Sequence, residues 1–259
     1  MTTFRITLAY DGTNYVGWQR QAAGASIQGL IEEALRQLDG RRVVVIGAGR
    51  TDAGVHALGQ VASFVLARTI DPDELKRALN GHLPVDVRVT DVGMAAPGFH
   101  ARLSARAKTY HYRFCDADVV SPFDRQYVWH VPGGLDVDAM GRAAEWLEGR
   151  HDFVSFQTVG GRVRSTERTI VRSLVNRPHL IDARPEYGSG AGVVVYEVTG
   201  DGFLRHMVRA IAGTLVEVGR GRWPCERMRD VLVSRDRRQA GPTAPARGLF
   251  LVRVEYADL

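Results

Sequence analysis

The chain has 259 residues, 45% of them hydrophobic and 24% charged, an ordinary globular composition that excludes general disorder and leaves room for one large core or two modest ones. Its formal net charge of +5 rests almost wholly on arginine, since lysine occurs only at Lys76 and Lys108; arginine excess suits bidentate phosphate contact and base stacking as well as it suits a bias of composition. Cys115 and Cys225 are too few and too far apart for a disulfide framework, and no apolar run approaches the ~20 residues of a membrane span, so the expectation is a cytoplasmic protein without membrane contact.

Phe4 to Tyr10 alternates as a strand from the outset, with no charged leader before it. The stretch from Tyr10 to Gln21 reads as a loop; its three aromatics beside an arginine fit base stacking, or the cover of a sheet edge. Ser26 caps a helix whose apolar stripe is Ile27, Leu30, Ile31, Ala34, Leu35 and Leu38. The β-branched run Val43–Ile46 predicts a buried strand that breaks into a loop containing Gly47, Gly49 and Gly54. Gly59 to Leu66 resumes a strand, Asp71-Pro72 opens a second helix, and Val85 to Val92 alternates again.

In the second half, Ala107 to Phe114 is strand-like and Val137 to Leu147 is an amphipathic helix after Asp136. Thr169 to Val175 and Val193 to Val198 are strands around a polar loop, Asp182 to Gly192. Helices are expected over Phe203–Val218 and Cys225–Leu232, and a closing strand over Leu249–Val254. The order predicts an α+β fold of two ferredoxin-like halves, residues 1–104 and 105–259. Paired edge to edge, they would give one continuous antiparallel sheet with helices on one side and a central cleft, a natural place for a substrate.

Three stretches carry candidate chemistry. The first is Gly49-Arg50-Thr51-Asp52-Ala53-Gly54-Val55-His56, whose glycines let the backbone turn tightly and approach a ligand. It is neither a dinucleotide fingerprint, because the third glycine position falls on Asp52, nor a P-loop, because Gly54 is followed by Val55-His56. By itself Asp52 fits a turn cap or a catalytic carboxylate. The second, Phe99 to Arg113, interleaves cations with aromatics: Arg102, Arg106, Lys108 and Arg113 form a phosphate-facing stripe, and Tyr110 and Tyr112 share one strand face, for stacking or for the core. The third, Asp201 to Arg209, opens the long helix and places Arg209 on its flank. The stretch Gly160–Arg168 reads as a basic loop for phosphate or solvent. The eight histidines form no zinc-binding pair, and no hydrolase elbow occurs, so no metal is expected.

The Asp52 stretch, followed by Gly59-Gln60-Val61, resembles the active-site signature of the tRNA pseudouridine synthase A (TruA) family. Tyr10-Asp11-Gly12 with Gly17-Trp18-Gln19, Phe99-His100-Ala101-Arg102-Leu103, Met207-Val208-Arg209 and Ala244-Pro245-Ala246-Arg247-Gly248-Leu249 follow in the family's order. The resemblance implies isomerisation of uridine at positions 38, 39 and 40 of the tRNA anticodon stem-loop by a homodimer without cofactor. It implies Asp52 as nucleophile, Tyr110 as the active-site tyrosine and Arg209 as the partner of the acid. It gives Arg50 the holding of a flipped base, and gives Phe99, His100, Ala101, Arg102 and Leu103 RNA contact. A non-catalytic RNA-binding module and a small-molecule enzyme are the competing classes.

Overall fold

The computed structural model describes residues 1–158, 164–178 and 192–257. In chain order these form β1 (Thr2–Tyr10), α1 (Ile27–Asp39), β2 (Ile46–Gly47), β3 (His56–Leu66), α2 (Pro72–His82) and β4 (Val87–Met94). There follow β5 (Ala105–Cys115), β6 (Trp129–His130), α3 (Val137–Glu145), β7 (Gly149–Asp152) and β8 (Glu167–Asn176). The chain ends with β9 (Val193–Gly200), α4 (Met207–Gly219), α5 (Arg227–Ser234) and β10 (Leu249–Tyr256). The fold is mixed α/β with mostly antiparallel strands, in two compact units: Met1–Lys108 with Phe250–Leu259, and Thr109–Leu249. The first part of the expected basic loop, Gly160 to Val163, and the polar loop from Asp182 to Ala191 lie outside the described residues.

In the first unit, β1 alternates as its sequence requires and buries Phe4, Ile6, Leu8 and Tyr10. It pairs antiparallel with β4 on one side and β3 on the other. The two helices start where their caps dictate. The Ser26 side chain accepts from Gly29 N–H at α1, and Asp71 accepts from Asp73 and Glu74 N–H at α2, with Pro72 in the first turn. On its other edge β3 carries β2 through Ser63 and Ala62, and β10 through His56 and Ala57. The expected strand over Val43–Ile46 is therefore short. Burial does alternate there, with Val43 and Val45 in and Val44 out, but only Ile46–Gly47 joins the sheet. The reason is that α1 takes the backbone first: Gln28 Nε2 donates to Val45 O at 2.9 Å, and Val45 N–H donates to Glu32 Oε1 at 3.3 Å.

The second unit carries the strand order β5-β9-β8-β7. Asp136 caps α3 through Ala139 N–H, and α3 buries Met140, Ala143 and Ala144. The expected helix from Phe203 begins four residues later, because His206 adopts a left-handed backbone (φ 62°). Thr158 holds that kink: its Oγ1 lies 2.8 Å from His206 Nδ1, and its N–H donates to Arg205 O. An antiparallel sheet throughout was also expected, and two pairings depart from it. β10 runs parallel to β3 in the first unit, and β6 parallel to β5 in the second. Parallel neighbours need a long connection between them, and here everything from α2 to α5 and the loop after β5 supply it.

Candidate active site

Asp52 sits half-buried in the loop between β2 and β3, with Arg50 exposed two residues before it and Thr51 buried between them. The loop is fastened from beneath by polar groups that lie inside the first unit. Tyr10 and Thr51 share a hydrogen bond of 2.9 Å from hydroxyl to hydroxyl. The fully buried carboxamide of Gln60 reaches the same phenol and donates to Gly49 O at 2.9 Å. Burial pushes the Tyr10 phenol up to about 12, against the pull of the Thr51 and Gln60 hydrogen bonds, so Tyr10 keeps its proton across the working range.

A second loop, Asp11 to Trp18, closes over the first backbone to backbone. Trp18 N–H donates to Thr51 O at 3.0 Å, and Gly54 N–H donates to Tyr15 O. A Cβ on Gly12 would stand 2.0 Å from Val55 O, and one on Gly17 would stand 2.5 Å from Thr51 O. His56, almost fully buried, accepts Gly12 N–H at Nδ1 and stacks on Phe250 with ring centroids 4.7 Å apart. Its Nδ1 also lies 3.1 Å from Asp11 Oδ1. The three aromatics of the stretch from Tyr10 to Gln21 do not offer a stacking surface. Tyr10, Tyr15 and Trp18 are all buried, and the Trp18 ring packs where a Cβ on Gly47 would be.

The segment Phe99–Leu103 lies against the same scaffold. Ala101 packs with Ala48 and Val61, so it touches the root of the Asp52 loop, and Phe99 packs beside them. Ala101 N–H donates to Ser63 Oγ at 3.0 Å, and Tyr256 donates its hydroxyl proton to Ala101 O at 2.7 Å. His100 holds the turn by accepting the N–H groups of Arg102 and Leu103 at Nδ1. Arg102 and Leu103 themselves are exposed. The first unit thus brings Arg50, Asp52 and Phe99–Leu103 onto one support.

Tyr110 and Arg209 belong to the second unit. Tyr110 is buried but for 7% of its surface and meets Phe203 edge-on, with centroids 5.0 Å apart. Tyr112, on the same strand face, is fully buried and donates to Pro245 O at 2.7 Å. Burial raises the Tyr112 phenol well above its ordinary range, while the charges of Arg209 and Arg247 pull it back. Arg209 is half-buried on α4; its Nε donates to Ala244 O at 2.8 Å, and Ala244 N–H returns a bond to Arg209 O. The closing Ala244–Leu249 segment therefore positions the arginine.

The supporting residues Tyr10, Thr51, Gln60, His56 and Ser63 were not singled out by sequence reasoning. Most lie inside the stretches that carry the family resemblance, and that was the one signal available. Among the described residues no group of His, Cys, Asp and Glu could hold a metal ion, and no helix is long and apolar enough to cross a membrane.

A family model described as tRNA pseudouridine synthase matches residues 6–102 and 143–257. The chain is 45% identical over 258 residues to the tRNA pseudouridine synthase A of Moorella thermoacetica, covering 99% of this chain and all of that protein. It is similarly 45% identical to the protein of that name from Myxococcus xanthus, over all of this chain and 93% of the relative. The one from Pelobacter propionicus is 43% identical over 256 residues, 99% of this chain and the whole relative.

Proposed function

The chain belongs to the tRNA pseudouridine synthase family, an isomerase family, and from that premise we propose that Asp52 is its nucleophile, acting on uridines 38, 39 and 40 of the tRNA anticodon stem-loop. The observation that supports this most is the mounting of Asp52: a half-buried carboxylate on a loop fastened by buried polar groups, inside the signature the family shares.

The reaction breaks the C1′–N1 bond, turns the uracil, and joins C5 to C1′. The hydrogen on C5 leaves to solvent and N1 gains a proton, so no redox partner is needed. Attack by the Asp52 carboxylate, at C6 of the base or at C1′ of the ribose, divides this into easier steps through a covalent intermediate. Arg209 supplies the counter-charge of Asp52. A stem uridine must first leave its stack, at a cost of roughly a few kcal/mol. Arg50, exposed beside the acid, holds the flipped state, and Tyr110 stacks on the extruded base and assists loss of the C5 proton. Phe99–Leu103 with Arg106, Lys108 and Arg113 grips the RNA through shape and phosphate contacts.

In this reading the enzyme is a cytoplasmic homodimer without cofactor, and the tRNA lies in a cleft between two ferredoxin-like halves, residues 1–104 and 105–259. The order of strands in the first unit, β4-β1-β3 with β2 on the far edge of β3, supports the ferredoxin-like half.

The test is release of tritium to water from tRNA labelled at uracil C5, with substrates that keep a single uridine at position 38, 39 or 40. Release by the native protein from each, and none by Asp52→Ala, is the expected result. Turnover by Asp52→Asn at the native rate refutes the nucleophile. Tight, salt-dependent tRNA binding without release by the native protein would make the chain a binding module.

A further inference from the structure

The Asp52 loop alternates: Gly49 is tied inward, Arg50 is exposed, Thr51 is tied inward, and Asp52 reaches the surface. Both inward ties run to one phenol. Gln60 Nε2 donates one N–H to Gly49 O and faces Tyr10 with the other, while its Oε1 accepts Val61 N–H. The same phenol shares its other hydrogen bond with Thr51 Oγ1, 2.9 Å away. Thr51 is then held at both ends, its hydroxyl by Tyr10 and its carbonyl by Trp18 N–H. The next peptide carries Asp52.

Each member of this relay is buried, and the Tyr10 ring is fixed by its strand and by Trp18, 6.4 Å away between centroids. None of the three presents a polar atom at the surface that carries Arg50 and Asp52. Such groups add nothing to RNA grip, but they determine where the peptide before Asp52 can lie.

We infer that Tyr10, through Thr51 Oγ1, and Gln60, through Gly49 O, are positioning residues that fix Arg50 and Asp52 as a rigid pair, so that the hydroxyl of Tyr10 sets the rate of isomerisation and not the affinity for tRNA. This rests on the reading of Asp52 as nucleophile. A displacement of the acid by a fraction of an ångström is expensive, since about 1 Å of misplacement costs on the order of 100-fold in rate. Burial, which pushes the Tyr10 phenol up to about 12, keeps it from serving as a base in the working range.

The experiment compares Tyr10→Phe, Thr51→Val, the double variant, Thr51→Ser and Asp52→Ala. It measures single-turnover tritium release from C5-labelled tRNA, tRNA affinity by filter binding, and thermal unfolding. Tyr10→Phe and Thr51→Val are each expected to slow release by about 10- to 100-fold, with tRNA affinity unchanged. The double variant is no slower than the slower single, because one bond is lost in all three. Thr51→Ser, which keeps the hydroxyl, recovers the rate. The pH–rate profile of Tyr10→Phe keeps the native shape at a lower level.

Native-rate release by Tyr10→Phe overturns the inference, as does an affinity loss that matches the rate loss, multiplicative effects in the double variant, or a changed pH profile. If Tyr10→Phe does not fold, Thr51→Val, of nearly the same shape as threonine, tests the same bond from its other end. Asp52→Ala separates the two failures. Release by Asp52→Ala refutes the nucleophile itself, whereas an inactive Asp52→Ala beside a fully active Tyr10→Phe refutes the positioning role alone.

Discussion

Replacing Gly17 by alanine tests how rigidly the two loops of the first unit hold each other. Gly17 has φ +103°, a conformation that costs an L-residue about 1–2 kcal/mol, and its Cβ would lie 2.5 Å from Thr51 O and 2.9 Å from the carbonyl carbon of Asp52. Ordinary contact begins at 3.4 Å, so the loops must part by 3.4 − 2.5 = 0.9 Å along that line. Both atoms belong to backbone, which no side-chain rotation can move aside. Gly40 is the natural control: it too has positive φ (+71°), as the cap of α1, yet a Cβ there meets nothing within 4 Å. Gly40→Ala should lose about 1–2 kcal/mol in urea unfolding and keep full turnover. Gly17→Ala should lose that and more, about 2–4 kcal/mol with the displaced contacts, and its single-turnover rate should fall on the order of 100-fold. Native turnover in a folded Gly17→Ala would show that the Asp52 loop relaxes freely, and the rigid mounting would have to be abandoned.

Ser63→Ala should cost about 1–3 kcal/mol in denaturant unfolding, because it leaves the buried Ala101 N–H without its acceptor. It should also weaken tRNA binding more than it slows release from bound tRNA, a ratio that filter binding and single-turnover assays read together. Arg102→Ala should lower the slope of log affinity against log salt by about 0.7–0.9, the loss of one phosphate contact, with no change in the rate from bound tRNA. In the second unit, burial pushes the Asp116 carboxyl up, but Arg177 and Leu135 N–H outweigh it and hold it below the usual range. A depressed carboxylate stabilises the fold fully above its unfolded value near 3.9 and loses that contribution as pH falls through the lower folded value. Native protein should therefore lose stability below about pH 4, and Asp116→Asn should show less of that acid limb while being less stable at neutral pH.

What was legible in the sequence follows from local chemistry. Ser26, Asp71 and Asp136 announce helices, and each makes the capping bond its side chain is suited to. The alternation of β1 and the acid in the Asp52 loop are equally local. Where a distant group competes for the backbone, local reading fails. Val43–Ile46 has the composition of a strand but gives Val45 to side chains of α1, and Phe203–His206 has the composition of a helix but bends where Thr158 ties it.

The glycines show the same division more sharply. Around Asp52 they read as a backbone made open to a ligand, yet Gly47 makes room for the Trp18 ring, and Gly12 and Gly17 in the neighbouring loop make room for the carbonyls of Val55 and Thr51. The close approach that Gly47, Gly12 and Gly17 permit is of protein to protein. A carboxylate proposed as nucleophile gains more from a second backbone pressed against its own than from any single side chain, since backbone atoms have no rotamers to lose or exchange. That is why the Asp52 loop can be read from eight consecutive residues, whereas its mounting depends on pairs such as Tyr10 and Thr51, 41 positions apart, that only the folded chain brings into contact.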